Sequence, residues 1–229
     1  MSAISENLKR VQERIARAAE RSGRSADEVT LVAVSKTQPV AAIEEAVCAG
    51  VRVLGENRIQ EAEAKVGAVN GPAAWHLVGH LQRNKVKNAL RMFELIHSVD
   101  SLRLAQEIGK RAVRDGQVAR VLVQVNTSGV ESQFGVAPEG ALDLVGKVSE
   151  VEGVGVEGVM TIGVFLPDPE AVRPCFAQLR ELRDRIAAAG LVGVSMGHLS
   201  MGMTNDFEEA IEEGATLVRI GTAVFGPRS

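Results

Sequence analysis

Leu31-Val-Ala-Val-Ser-Lys36-Thr-Gln-Pro39 is the stretch that decides the fold. Small and apolar residues in a β-favouring order run straight into a lysine, and a Thr-Gln-Pro turn follows it. Side chains alternate along an extended strand, so Val32, Val34 and Lys36 share one face. An apolar run of this kind belongs to a strand buried on both faces. Lys36 then stands at the rim of a core, at the carboxyl end of a strand, where parallel α/β folds place their chemistry. A partly desolvated amine there is a candidate nucleophile toward carbonyls. Taken alone, the same residues describe a strand-end lysine reaching into water, which is the commoner case.

Working outward, the pattern repeats along the chain. Leu8, Val11, Ile15 and Ala18 recur at helical spacing and predict an amphipathic opening helix closed by Ser22-Gly23. After the Lys36 strand, further strands are expected at 51–54, 75–78, 93–96, 119–125, 154–162, 191–196 and 216–220. Helices are expected between them at 39–49, 59–66, 82–91, 102–113, 141–148, 170–189 and 206–213. Unbroken alternation implies a parallel sheet. Eight such units in 229 residues imply an α/β fold, a closed (β/α)8 TIM barrel with an extra N-terminal helix, as a single domain over 1–229. A doubly wound open sheet is the alternative.

Composition narrows the function. Apolar residues make up 45% of the chain, enough for a substantial core, and the net charge of −3 gives no general attraction to a phosphate backbone. No nucleic-acid partner is expected. Cys48 and Cys175 form no metal-spaced pair, which fits idle thiols in a reducing compartment. Neither a signal-peptide core nor a run of ~18 apolar residues is visible. A cytoplasmic protein without a membrane partner is expected, as a monomer or weak dimer.

A closed barrel gathers its strand ends on one face. In order they carry Lys36, Asn57, Gly79-His80, Ser98, Asn126, Met160-Thr161, Ser200 and Arg219-Ile-Gly-Thr222. The loops after strands seven and eight are where barrels commonly hold a phosphate. Here Leu199-Ser200-Met-Gly202 and Gly221-Thr222 through Gly226 occupy those places, with glycines for close approach and hydroxyls to donate. Together with Lys36 they describe a site for a phosphorylated aldehyde. Other signals are weaker. Gly153-Val-Gly-Val-Glu-Gly158 matches a dinucleotide-binding string, but it opens into a strand and no helix follows. His76 and His80 straddle a strand and a turn, and His97 and His198 have no acidic or thiol neighbour in sequence, so structural histidines are expected. Arg83, Lys85, Lys87 and Arg91 read as a solvated helix face, since no aromatics interleave them.

Val34-Ser-Lys-Thr37, Gly55-Glu-Asn57, Trp75-His-Leu-Val-Gly79 with Leu81-Gln82, Gly158-Val-Met160, Leu199-Ser-Met-Gly-Met203 and Val218-Arg-Ile-Gly-Thr222 through Phe225-Gly226 occur in order. With them the chain resembles, nearly end to end, the pyridoxal phosphate homeostasis proteins, single-domain barrels related to the N-terminal domain of alanine racemase. The resemblance implies pyridoxal 5'-phosphate (PLP) held on Lys36 as a Schiff base. It implies phosphate contacts from Ser200, Gly221 and Thr222, Asn57 near the ring, and Arg219 facing the pyridine nitrogen. Arginine cannot give its proton to the ring, which leaves the ring a weaker electron sink. Two positions depart from the family pattern, Arg58 where an aromatic residue is common and Gln133 where lysine is common.

The resemblance implies a non-catalytic PLP carrier that supplies apo-PLP enzymes. The alternative is a PLP-dependent amino-acid racemase or related enzyme. Racemisation of the alanine racemase type needs a second base, a tyrosine from a second domain. The chain has no tyrosine, and no second domain is expected after the eighth strand. The carrier is therefore the expected function.

Overall fold

The computed structural model describes residues 2–164, 166 and 168–227. Eight parallel strands close into a barrel in chain order. They are β1 (Thr30–Val34), β2 (Val53–Glu56), β3 (Ala74–Leu77), β4 (Leu95–Val99), β5 (Ala119–Gln124), β6 (Val154–Met160), β7 (Val194–Ser200) and β8 (Leu217–Ile220). β8 pairs back onto β1, with Val32 opposite Arg219, which closes the ring and excludes the open sheet. The helices are α1 (Ala3–Arg21), α2 (Val40–Cys48), α3 (Ile59–Lys65), α4 (Val86–Met92), α5 (Leu102–Arg114), α6 (Ala141–Ser149), α7 (Arg173–Ala188), α8 (Phe207–Glu212) and a single turn, α9 (Thr222–Phe225).

Alternation along each strand builds two cores. Outward-facing Ala33, Leu54, Leu77, Ile96, Val121, Val159 and Val218 pack with helix residues such as Ile43, Ile108 and Phe176. Inward-facing Val32, Leu95, Leu122, Met160 and Leu217 form a smaller core inside the barrel. The rest of the interior is polar, and that half becomes the site. The opening helix is held by the residues its periodicity marks: Leu8, Val11, Ile15 and Ala18 are buried, each large aliphatic one stabilising by about 1.5–3 kcal/mol. It packs on α8 and α9, and Arg14 lies over the Phe207 ring at 4.4 Å while pairing with Glu208.

Several strand bounds differ from the sequence expectation: β2 runs over Val53–Glu56 rather than 51–54, β6 stops at Met160 rather than 162, and β4 and β7 shift as well. β4 starts at Leu95 because Phe93 is tied up as the C-cap of α4, its N–H donating to Ala89 O. β7 runs over Val194–Ser200 rather than 191–196: Gly190 and Gly193 both take positive φ, so Leu191 and Val192 form a turn, with Val192 91% exposed. The polar alternation Ser195, Gly197-His198, Ser200 conceals the strand. Arg83, Lys87 and Arg91 are exposed, as a solvated helix face requires.

The glycine string at 153–158 is structural. Gly153 turns at φ 80, and Gly158 sits where the register shifts against both neighbouring strands. A Cβ on Gly158 would meet His198 O at 1.9 Å. Gly158→Ala is therefore expected to destabilise the barrel by at least ~1–3 kcal/mol, read as a lowered urea midpoint; an unchanged midpoint would contradict this close strand packing.

Candidate functional site

Lys36 lies in the turn two residues past the end of β1 and is half-buried, on the rim of the barrel. Arg219 comes from β8, the neighbouring strand. Its side chain is 5% exposed, and Nη1 donates to Ser200 Oγ at 2.7 Å while Nη2 donates to the Thr161 carbonyl at 2.8 Å. Burial lowers its pKa to about 10, with Asp206 acting in the opposite direction, so the guanidinium keeps its charge at neutral pH.

Ser200 continues inward. Its Oγ lies 2.9 Å from His97 Nδ1, and His97 Nε2 lies 3.0 Å from His76 Nδ1. Arginine can only donate, so the Ser200 oxygen accepts from Arg219. The Ser200–His97 and His97–His76 contacts extend this hydrogen-bonded column, with directions that follow from the histidine tautomers. Burial keeps both rings neutral. It lowers His76 to about 4, helped by the charges of Arg120 and His198, and holds His97 well below the ordinary histidine value, helped by His76, Arg219 and His198. His198 has an acidic neighbour in space that the sequence does not show, Glu157 at 3.6 Å.

The other expected residues divide. Gly221 closes tightly on β1, where a Cβ would lie 3.1 Å from Val34 O, and Thr222 opens α9 at the rim. The first amides of a helix have no intrahelical partner, so they are available above the strands. Asn57 follows β2 and is half-buried; Gly79 at the end of β3 lets it in, since a Cβ there would stand 2.2 Å from Asn57 O. Ser200 does not join Gly221 and Thr222. It pairs with Leu217, four residues before Gly221, which is about 13 Å along the strand, and its hydroxyl is fully buried. That geometry moves Ser200 from the expected phosphate contact to the brace of Arg219. Thr204, half-buried in the loop after β7, is a hydroxyl nearer the rim. Ser98 is not at a strand end but inside β4, buried, with its hydroxyl unpartnered among the described residues.

A cavity of about 480 Å³ opens beside Asn57, lined by Arg58, Glu61, His80, Gln82 and Lys85 among others. A second, of about 400 Å³, lies at the opposite end of the barrel between α4 and β5 and holds none of the expected site residues. Around the mouth, Phe134 stacks on His80 with centroids 3.8 Å apart. Gln133 ties two loops, its Nε2 donating to Gly163 O at 3.2 Å and its Oε1 accepting from Ser128 Oγ at 3.0 Å. Of the two family departures, Arg58 thus lines the cavity beside Asn57 and Gln133 ties the loops after β5 and β6. Among the described residues no group of His, Cys, Asp and Glu could hold a metal ion, and no helix is long and apolar enough to cross a membrane.

Fold and site together define a parallel (β/α)8 barrel with a rim lysine on its first strand and a buried arginine on its last. The family model described as "Alanine racemase, N-terminal domain" matches residues 2–229. A pyridoxal phosphate homeostasis protein of Aquifex aeolicus is 48% identical over 224 residues, 97% of each chain. That of Escherichia coli K12 is 38% identical over 233 residues, covering 100% of this chain and 98% of its own. Among solved structures, PipY of Synechococcus elongatus with PLP bound superposes with a TM-score of 0.84 at 34% identity, covering 97% of this chain and 100% of that one. An alanine racemase of Clostridium difficile shares the fold at 17% identity and a TM-score of 0.77, over 97% of this chain and 57% of its own. The chain belongs to the pyridoxal phosphate homeostasis proteins, within the alanine racemase N-terminal domain family.

The neutral histidines set an acid limit. Below pH ~6.5 the unfolded chain binds protons that the folded His76 refuses until about pH 4, so stability falls as pH drops through that window. His76 alone is expected to cost ~3 kcal/mol across it. Urea unfolding between pH 4 and 7 should show this slope, and His76→Gln should flatten it; the same slope in that variant would contradict the assignment.

Proposed function

We propose that this chain carries PLP as a Schiff base on Lys36 and serves PLP homeostasis in the cytoplasm, passing the cofactor to apo-PLP enzymes without catalytic turnover. The observation that carries this reading is the pairing of a rim lysine with a buried, charged, donor-only Arg219 across the closing strand pair. The residues present fit the cofactor. Lys36 supplies the amine, and Gly221, Thr222 and the amides of Thr222 and Ala223 at the start of α9 offer donors for a phosphate, those of Val224 and Phe225 already donating to Gly221 O. Two of the five N–H groups of Arg219 are committed to Ser200 and Thr161, so its fork has donors left for a ring nitrogen. Thr204 would join the phosphate set in place of Ser200, and Asn57 would stand beside the ring.

When bound, PLP supplies an aldehyde that condenses reversibly with an amine and a ring able to withdraw electrons. The protein side limits the second property. Arg219 keeps its proton at neutral pH and holds a ring nitrogen without protonating it. A two-base racemase needs a second acid or base opposite the lysine, and no tyrosine exists in the chain to serve. Carriage needs neither. It needs reversible attachment at an accessible rim, which half-buried Lys36 provides. The relatives named pyridoxal phosphate homeostasis proteins and the PLP-bound PipY support the same reading.

Added PLP should give a visible band, borohydride should bleach it, and the added mass should map to Lys36. Lys36→Ala should lose the reducible cofactor. Arg219→Ala should retain it with affinity reduced about tenfold or more. A chain that takes up no PLP, or an alanine racemisation rate above that of free PLP in chiral chromatography, would contradict the proposal.

A further inference from the structure

The two peptide groups that flank Lys36 are both held by side chains of α3. The Ser35 carbonyl, on one side, accepts from Lys65 Nζ at 2.8 Å. The Thr37 N–H, on the other, donates to Glu61 Oε2 at 3.0 Å. Glu61 and Lys65 stand four apart, so the helix presents both on one face, and their charged atoms are 3.8 Å apart. Lys65 is itself anchored, since Nζ donates to Glu56 Oε1 at 2.7 Å, and Ser35 Oγ donates to the same oxygen at 2.7 Å. Glu56 and Ser35 are fully buried.

This framework holds an unfavourable backbone. Thr37 has φ 63 and is the one non-glycine residue at positive φ among those described. A β-branched residue resists that region, and such strain persists only where its surroundings impose it. Two contacts impose it here: the turn bond from Gln38 N–H to Ser35 O at 3.0 Å, which puts Thr37 at the third turn position, and the Glu61 carboxylate on the Thr37 N–H.

We propose that Glu61 and Lys65 are positioning residues that clamp the backbone of Lys36 from both sides, so that its amine is presented to the cofactor aldehyde. The inference rests on the carrier reading above. In the step served, the amine nitrogen forms a C=N bond as the C=O bond breaks, and the oxygen leaves as water with the two amine hydrogens. Neither clamp residue touches the cofactor. Their contribution is orientation, which a loose strand end would lose.

The test compares PLP with pyridoxamine 5'-phosphate, which keeps ring and phosphate but has no aldehyde. Glu61 is partly exposed, so Glu61→Ala is the variant to make; truncating Lys65 would leave Glu56 buried without its cation and risk unfolding. Glu61→Ala should lower PLP affinity about tenfold while pyridoxamine phosphate affinity and melting temperature stay unchanged. In the cofactor-free chain its Thr37 amide should exchange hydrogen much faster than in wild type. Adding Thr37→Gly, which takes φ 63 without strain, should recover PLP affinity. Equal loss for both ligands, no loss for PLP, or no recovery in the double variant would overturn the clamp alone. A wild-type chain that traps no cofactor at Lys36 would overturn the carrier reading, and the clamp with it.

Discussion

A guanidinium sealed inside a protein must be solvated by the protein, because removing a charge from water is costly unless its donors are satisfied. Arg219 meets that demand with two neutral oxygens, Ser200 Oγ and Thr161 O, and among the described residues no carboxylate is in direct contact. Ser200 is backed in turn by His97 and His76, whose rings carry the hydrogen bonds deeper into the barrel. This column explains why the barrel interior is divided. One part packs Val32, Leu95, Leu122, Met160 and Leu217 as a dry core. The other is a hydrogen-bonded column running from Arg219 through Ser200 and His97 to His76.

The chemistry follows from that choice of partners. A carboxylate beneath a pyridine ring could share a proton with it, whereas a charged arginine held by neutral groups can only donate. In the proposed carrier the ring is gripped but not activated, while the reactive amine stays at the rim where a second protein can approach. α3 completes the division of labour from outside the barrel. Its Glu61 and Lys65 hold the strand end together with the Ser35–Gln38 turn bond around Lys36.

Much of this was legible in the chain. The repeated strand–helix rhythm and the length implied the closed barrel, because parallel strands must be joined by crossovers and seven of them linking eight strands fill the chain. Lys36 was legible because an apolar run ending in a charge is a strand meeting a rim. Boundaries failed where polar residues lie inside. β7 carries His198 and Ser200 into the barrel, so its alternation reads as surface. Ser200 was misjudged for the same reason: a hydroxyl near a strand end looks available, and only its partners His97 and Arg219, from two other strands, show it to be occupied. The clamp was invisible. The helix over 59–66 was evident, but that its Lys65 reaches a carbonyl 30 residues earlier is a property of packing between elements.

The most direct test of the central claim is the nitrogen-15 NMR shift of the pyridine nitrogen in labelled cofactor bound to the protein at neutral pH. A shift in the range of an unprotonated, hydrogen-bonded pyridine is expected, moving when Arg219 is replaced by alanine. A pyridinium shift, or one indifferent to Arg219, would contradict the placement of a donor-only cation against the ring and with it the distinction between carrying the cofactor and using it.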